Sequence, residues 1–166
     1  FINDTLKSSK FRKDITVFGH TNYKKKFNQK YFNIDIKKNF FSSQNKDYVK
    51  KFIELEKKNN SQIIELHNRP IYLKYLVNDL KKRDYILYFH NDPLTMSGSK
   101  SIKERSFLLN NCYRIVFNSN WSKKRFLVGL DSNNFTQKTA VCYQSTNKVK
   151  IDFQKKKKII SFIGKL

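Results

Sequence analysis

The sequence predicts an α/β fold: a Rossmann-like domain with a mainly parallel sheet. Apolar runs of strand length recur along the chain, and several are continuous rather than alternating, the pattern of strands covered on both faces. Between them lie segments whose apolar residues fall at helical spacing, so strand and helix alternate as in βα units.

In chain order, Ile15–Phe18 and Tyr31–Ile36 read as the first strands, the second with polar interruptions. Lys46–Lys58 sets Val49, Phe52, Ile53 and Leu55 among charges, as an amphipathic helix requires. Ile63–Leu66 is the next strand, and Tyr72–Leu80 follows it with Tyr72, Leu73, Leu76, Val77 and Leu80 on one stripe. Tyr85–Phe89 is a strand, and Ser101–Cys112 a helix with Ile102, Phe107, Leu108 and Leu109. Arg114–Phe117 leads into Ser119–Leu130, which carries Trp121, Phe126, Leu127 and Leu130, and Thr139–Tyr143 is the next strand. Proline is limited to Pro70 and Pro93, so Asn, Ser and Asp punctuate most loops. The polar, Lys-rich stretch from Gln144 to Lys158 reads as connection, which divides the chain into a domain of residues 1–147, a linker at 148–158 and a new strand at 159–166. Gly164 stands where that strand would turn into a second α/β unit. With no Met at Phe1 and an end at Leu166 just after an apolar run, the expectation is a fragment truncated at both ends.

A chain of 166 residues with 39% apolar content can bury a real core. Its net charge of +22 raises polyanions or an anionic membrane surface as partners. The lysine runs are dispersed between the apolar segments, however, and enrichment in Lys, Asn, Ile, Phe and Tyr also suits an AT-rich coding sequence. Solvated lysine on many surfaces is therefore the simpler account, with attraction to acidic lipids or phosphorylated substrates kept open. Cys112 and Cys142 sit in apolar contexts and read as small core residues of a reducing compartment. No stretch approaches the roughly 20 apolar residues of a membrane span. His20, His67 and His90 are scattered singly without metal-ligand spacing, so no metal site is expected, and no GxSxG elbow, Walker loop or complete GxGxxG is present.

Two strand ends share a polar tetrad: IIELHNRP gives His67, Asn68, Arg69 and Pro70, and YFHNDP gives His90, Asn91, Asp92 and Pro93. Ligands bind beyond the carboxyl ends of parallel strands, and both tetrads fall there. One such tetrad is explained by a proline-set turn; two at successive strand ends point to a shared cleft. Glu65 is an odd residue for a buried strand and needs a partner such as Arg69 or a lysine. Asp92 either accepts a proton or orients His90. NSNWSKKRF offers Ser119 or Asn120 as the cap of the next helix, whose amides could alternatively hold a phosphate. Trp121, with no aromatic neighbours in sequence, reads as core or domain interface rather than as a base-stacking platform.

The order of these elements, a strand ending in His, a strand ending in FHND, a helix with Glu104 and Arg105, then IVFNSNWSKKRF and IISFIGKL, resembles the amino-terminal half of a family 4, group 1 glycosyltransferase of the GT-B fold. The resemblance covers residues 60–166 well and residues 1–59 only through element order. It implies a cytoplasmic enzyme, peripheral at the inner face of the membrane, that transfers a sugar with retention from a nucleotide-diphosphate sugar to a hydroxyl of a saccharide or lipid-linked acceptor. It implies no cofactor and no obligatory metal, and a role in cell-surface polysaccharide or glycolipid synthesis. By this resemblance His90 contacts the donor sugar in the catalytic cleft, and Ser119, Gly164 and Lys165 belong to the donor side. His67, Asn68, Arg69, Asn91 and Asp92 line the acceptor side. Lys165 stands where the family more often has Arg, which keeps the charge but loses the bidentate fork. A second phosphate-binding Lys and a Glu-x7-Glu element are expected beyond Leu166, and a Gly-rich loop before Phe1, so the fragment alone is expected to be inactive. The rival readings are a basic α/β module for nucleic acid, which needs a clustered cationic face with stacking aromatics, and a non-catalytic GT-B-like protein.

Overall fold

The computed structural model of the chain describes residues 8–20, 30–36, 43–131 and 137–144, with Leu6 and Phe135. The expected linker at 148–158 and strand at 159–166, with Gly164 and Lys165, lie outside the described residues. The order is β1 (Thr16–Gly19), β2 (Lys30–Asn33), α1 (Gln44–Asn59), β3 (Ile63–His67), α2 (Pro70–Asp79), β4 (Asp84–Phe89), a 3-10 turn (Pro93–Thr95), α3 (Ile102–Asn111), β5 (Arg114–Phe117), α4 (Asn120–Leu127) and β6 (Thr139–Val141). The α/β, parallel-sheet, Rossmann-like class expected from the sequence is the one found.

Local chemistry explains the helix boundaries. Pro70 opens α2 at a position whose N–H needs no partner within the helix. Ser101 and Glu104 close a reciprocal capping box at the start of α3, and the Ser119 hydroxyl caps α4 by accepting from the Ser122 amide. α1 ends at Asn60, which turns left-handed at φ 55° and returns its N–H to the Glu56 carbonyl.

The parallel strands form two sheets, a pair β1-β2 and a four-stranded sheet β3-β4-β5-β6. β2 ends at Asn33, short of the expected Ile36, and β1 leans on α1 through an edge-to-face contact of Phe18 with Phe52. In the larger sheet the spatial order follows the sequence, so right-handed crossovers stack α2, α3 and α4 on one face. There Ile64, Leu66, Tyr85, Leu87, Phe89, Ile115 and Phe117 meet Leu73, Leu76, Leu108, Leu109 and Phe126 in one buried cluster.

The other face corrects the expectation of strands covered on both sides. Ile63 is 53% exposed, Glu65 is exposed, and Ile86, Tyr88 and Ala140 are only half-buried, although Val116 at its centre is buried. The burial in β3 and β4 alternates strictly, which marks a sheet with one face covered among the described residues. For the same reason Glu65 is not the buried strand residue expected, and Cys142 is exposed whereas Cys112 lies in the core. Among the described residues no helix is long and apolar enough to cross a membrane.

One carboxylate anchors the α1–β3 connection. Glu56 is 1% exposed; it accepts hydrogen bonds from the Ser61 amide at 2.6 Å, the Ser61 hydroxyl at 3.1 Å and Asn59 Nδ2 at 3.3 Å, with Arg83 Nε 3.8 Å away. Glu56→Ala removes a buried acceptor from partly buried and exposed donors and is expected to cost about 1–3 kcal/mol in denaturant unfolding. A loss below about 1 kcal/mol would mean that water replaces the carboxylate there.

Candidate functional site at the carboxyl ends of the strands

Parallel pairing brings the carboxyl ends of β3, β4 and β5 to one rim, with His67 in register with Tyr88 and Phe89 with Phe117. Each of these strands is followed closely by an asparagine, and two of these hold the peptide of His90. Asn68, at φ 55°, donates its amide N–H to the Tyr88 carbonyl at 2.8 Å and accepts the His90 N–H on Oδ1 at 2.7 Å. From the opposite flank, Asn118 Nδ2 donates to the His90 carbonyl at 2.8 Å, while its own Oδ1 accepts from the buried Ser122 hydroxyl at 2.9 Å. Left-handed backbone at Asn68 is tolerable because Asn is one of the few non-glycine residues that visit that region readily.

The side chain of His90 turns to the open sheet face and joins a line of polar groups. His90 Nε2 lies 3.0 Å from His67 Nδ1, and His67 Nε2 lies 3.5 Å from Glu65 Oε2. The two imidazole planes differ by 4° and their centroids are 5.3 Å apart. That separation is the nitrogen–nitrogen distance plus one ring radius at each end, so the rings meet edge to edge in nearly one plane, the geometry of an N–H···N hydrogen bond. Tyr88 stacks on His67 at 4.6 Å between centroids, and its hydroxyl lies 3.5 Å from Glu65 Oε1. Burial, then the charge of Glu65, pushes the Tyr88 phenol up to about 12, so it stays a donor. Gln144 completes the line, its Nε2 lying 2.9 Å from His90 Nδ1. A small recess beside it is lined by Tyr88, His90, Val116, Asn118, Cys142 and Gln144. Desolvation by burial, then the neighbouring His67, holds the His90 pKa below the ordinary 6.5.

The two tetrads thus meet, as their sequence positions suggest, but their members divide. His67, Asn68 and His90 form the cluster. Arg69 is exposed and donates to the Asn68 carbonyl rather than to Glu65. Asn91 is exposed. Asp92 neither orients His90 nor faces it: it pairs with Arg125 at 3.0 Å, accepts from the Leu94 amide, and has its pKa lowered first by the Arg125 hydrogen bond. Ser119 spends its hydroxyl on the α4 cap and on Ser122. Trp121 is 58% exposed, with the Arg125 guanidinium 5.7 Å from its ring, which removes it from the core.

Sequence reasoning missed Tyr88, Asn118 and Gln144. The recurrence of Asn after three successive strand ends was a readable signal for Asn118; Gln144, at the start of a presumed linker, gave none. A larger hollow, about 290 Å³, opens at the opposite end of the sheet and is lined by Lys57, Asp79, Lys81, Lys82 and Arg83 among others. It adjoins the carboxyl ends of α1 and α2, where basic side chains complement the helix dipole. Among the described residues no cluster of three or more His, Cys, Asp or Glu is arranged to hold a metal ion.

The depressed His90 pKa has a thermodynamic consequence. Between it and 6.5 the unfolded chain binds a proton that the folded chain resists, so stability is full above about pH 6.5 and falls as pH drops toward the folded value. Unfolding midpoints are expected to drop from about pH 7.5 to about pH 5.5, and His90→Gln to remove part of that slope. An identical slope in the variant would exclude His90 as its source. Comparison of the chain with protein-family models, curated proteins and solved structures returned no match.

Proposed function

We propose that the chain is the acceptor-side half of a retaining glycosyltransferase of family 4 and GT-B type, which moves a sugar from a nucleotide-diphosphate donor to a hydroxyl in polysaccharide or glycolipid synthesis. The observation that carries the reading is His90, fixed by its backbone just past β4 and turned to an open rim shared with His67. Glycosyl transfer builds positive character on the sugar and negative charge on the departing diphosphate. A neutral imidazole at the rim suits a contact to the uncharged sugar, because it binds hydroxyls without repelling the developing cation. The diphosphate calls instead for cationic groups, the role this reading gives to Lys165. The net charge of +22 would favour work beside an anionic membrane surface.

In the full-length protein, His90→Ala is expected to lower kcat about 10²-fold or more while thermal unfolding stays near wild type. Near-normal transfer by a folded variant would sink the assignment. Lys165→Ala is expected to weaken nucleotide-sugar binding by about 1.5–3 kcal/mol, the worth of a hydrogen bond to a charged group. Unchanged donor affinity in titration calorimetry would move the diphosphate elsewhere. Titration with RNA distinguishes the rival reading, which requires a steep fall in affinity with salt.

A further inference from the structure

The line Glu65–His67–His90–Gln144 has a direction. Gln144 Nε2 can only donate, so the His90 Nδ1 that faces it is an acceptor. A neutral His90 then carries its proton on Nε2 and donates to His67 Nδ1, which leaves the His67 proton on Nε2, the nitrogen that lies 3.5 Å from the Glu65 carboxylate. Turning the Gln144 amide over would reverse each step: His90 Nδ1 would donate to the amide oxygen, and His67 Nε2 would present a lone pair to the carboxylate. With both rings neutral, the anion at the far end selects the first arrangement.

We infer that Glu65 and His67 are positioning residues that fix His90 as the Nε2–H tautomer, so that His90 Nδ1 is presented at the rim as an obligate acceptor for the hydroxyl of a ligand, in the place the Gln144 amide now occupies. The site therefore selects neutral O–H donors at this point and rejects groups that only accept. The inference deepens the glycosyl-transfer reading, on which it rests only for calling that hydroxyl one of the donor sugar. No proton is consumed: the ligand hydroxyl replaces one donor to Nδ1 by another.

The described groups beside His90 agree with this polarity. Glu65 supplies the anion, Tyr88 stacks on His67 and remains a phenol, Cys142 lies beside the recess, and Asp92 is drawn away by Arg125. Glu65 is half exposed, with 50% of its side chain accessible, so it can be changed without opening the core.

The test is imidazole ¹⁵N spectroscopy of the full-length protein near neutral pH. In the wild type, His90 Nδ1 should resonate as an unprotonated, pyridine-type nitrogen, and a through-hydrogen-bond nitrogen–nitrogen coupling should link a protonated His90 Nε2 to His67 Nδ1. In Glu65→Lys, where a donor replaces the acceptor, the line should reverse and His90 Nδ1 should become pyrrole-type. A residue with only a structural role would not change the tautomer two residues away. A protonated His90 Nδ1 in the wild type, or an unmoved one in folded Glu65→Lys, overturns the inference. Should Glu65→Lys fail to fold, the wild-type coupling and its donor side decide alone. With UDP-glucose and GDP-mannose as probes, Glu65→Lys should raise KM for whichever is used at least tenfold with a smaller change in kcat. Absence of transfer from any nucleotide sugar would fail the glycosyl-transfer reading and leave the tautomer result standing; the wrong tautomer would do the reverse.

Discussion

The peptide of His90 is gripped from both sides, by Asn68 on its N–H and Asn118 on its carbonyl. This double clamp depends on parallel pairing. Only when β3, β4 and β5 run in the same direction do the residues just past their ends lie side by side. A backbone held at both polar groups leaves His90 few torsions with which to move its ring. The in-plane contact with His67 then fixes the remaining orientation, at 3.0 Å between nitrogens. The Asn118 end of the clamp is itself anchored, through the Ser122 hydroxyl, to the first turn of α4.

The sheet that carries this site is covered on one face only among the described residues. The large buried aromatics of the cluster, Tyr85, Phe89, Phe117 and Phe126, lie toward the helices among buried Leu, Ile and Val, where they add to the apolar burial that holds the fold. The other face can therefore keep Glu65, His67, Tyr88 and His90 in partial contact with water. A carboxylate and two imidazoles in line would be costly in a sheet buried on both sides. Here solvent shares the cost, and each polar group has a neighbour in the line.

Behind the rim, the loop from Asn91 to Ser101, which includes the 3-10 turn Pro93–Thr95, is fixed by side-chain contacts to the helices. Asp92 ties it to α4 through Arg125. The buried Arg105 donates to the Lys100 carbonyl at 2.8 Å and the Val128 carbonyl at 2.6 Å, which joins this loop to the end of α4. Gly98, at φ +93°, lies so close to the start of α2 that a Cβ would come within 2.6 Å of the Ile71 backbone. The loop that follows His90 is thus set against α2 and α4.

The sequence by itself determined the class of fold and most element positions, because periodicity and capping are local: the helical spacing from Ser101 and the Ser119 cap mark helix starts that the structure keeps, whereas Pro70, read as setting a turn, proves to open a helix. It also placed His67 and His90 at strand ends, since an apolar run that stops at a polar tetrad reads the same in one dimension as in three. It did not determine that one sheet face is left uncovered by the described residues, because continuous runs such as the one at Arg114–Phe117 look alike whether one face or both are covered. Nor did it separate the roles inside the tetrads. Asp92 turns to Arg125, 33 residues away, and His90 meets Gln144, 54 residues away. Partnerships of that span are created by strand pairing and crossover direction. What only the tertiary structure decided is therefore which groups stand in line with His90, a carboxylate on one strand and an amide beyond another.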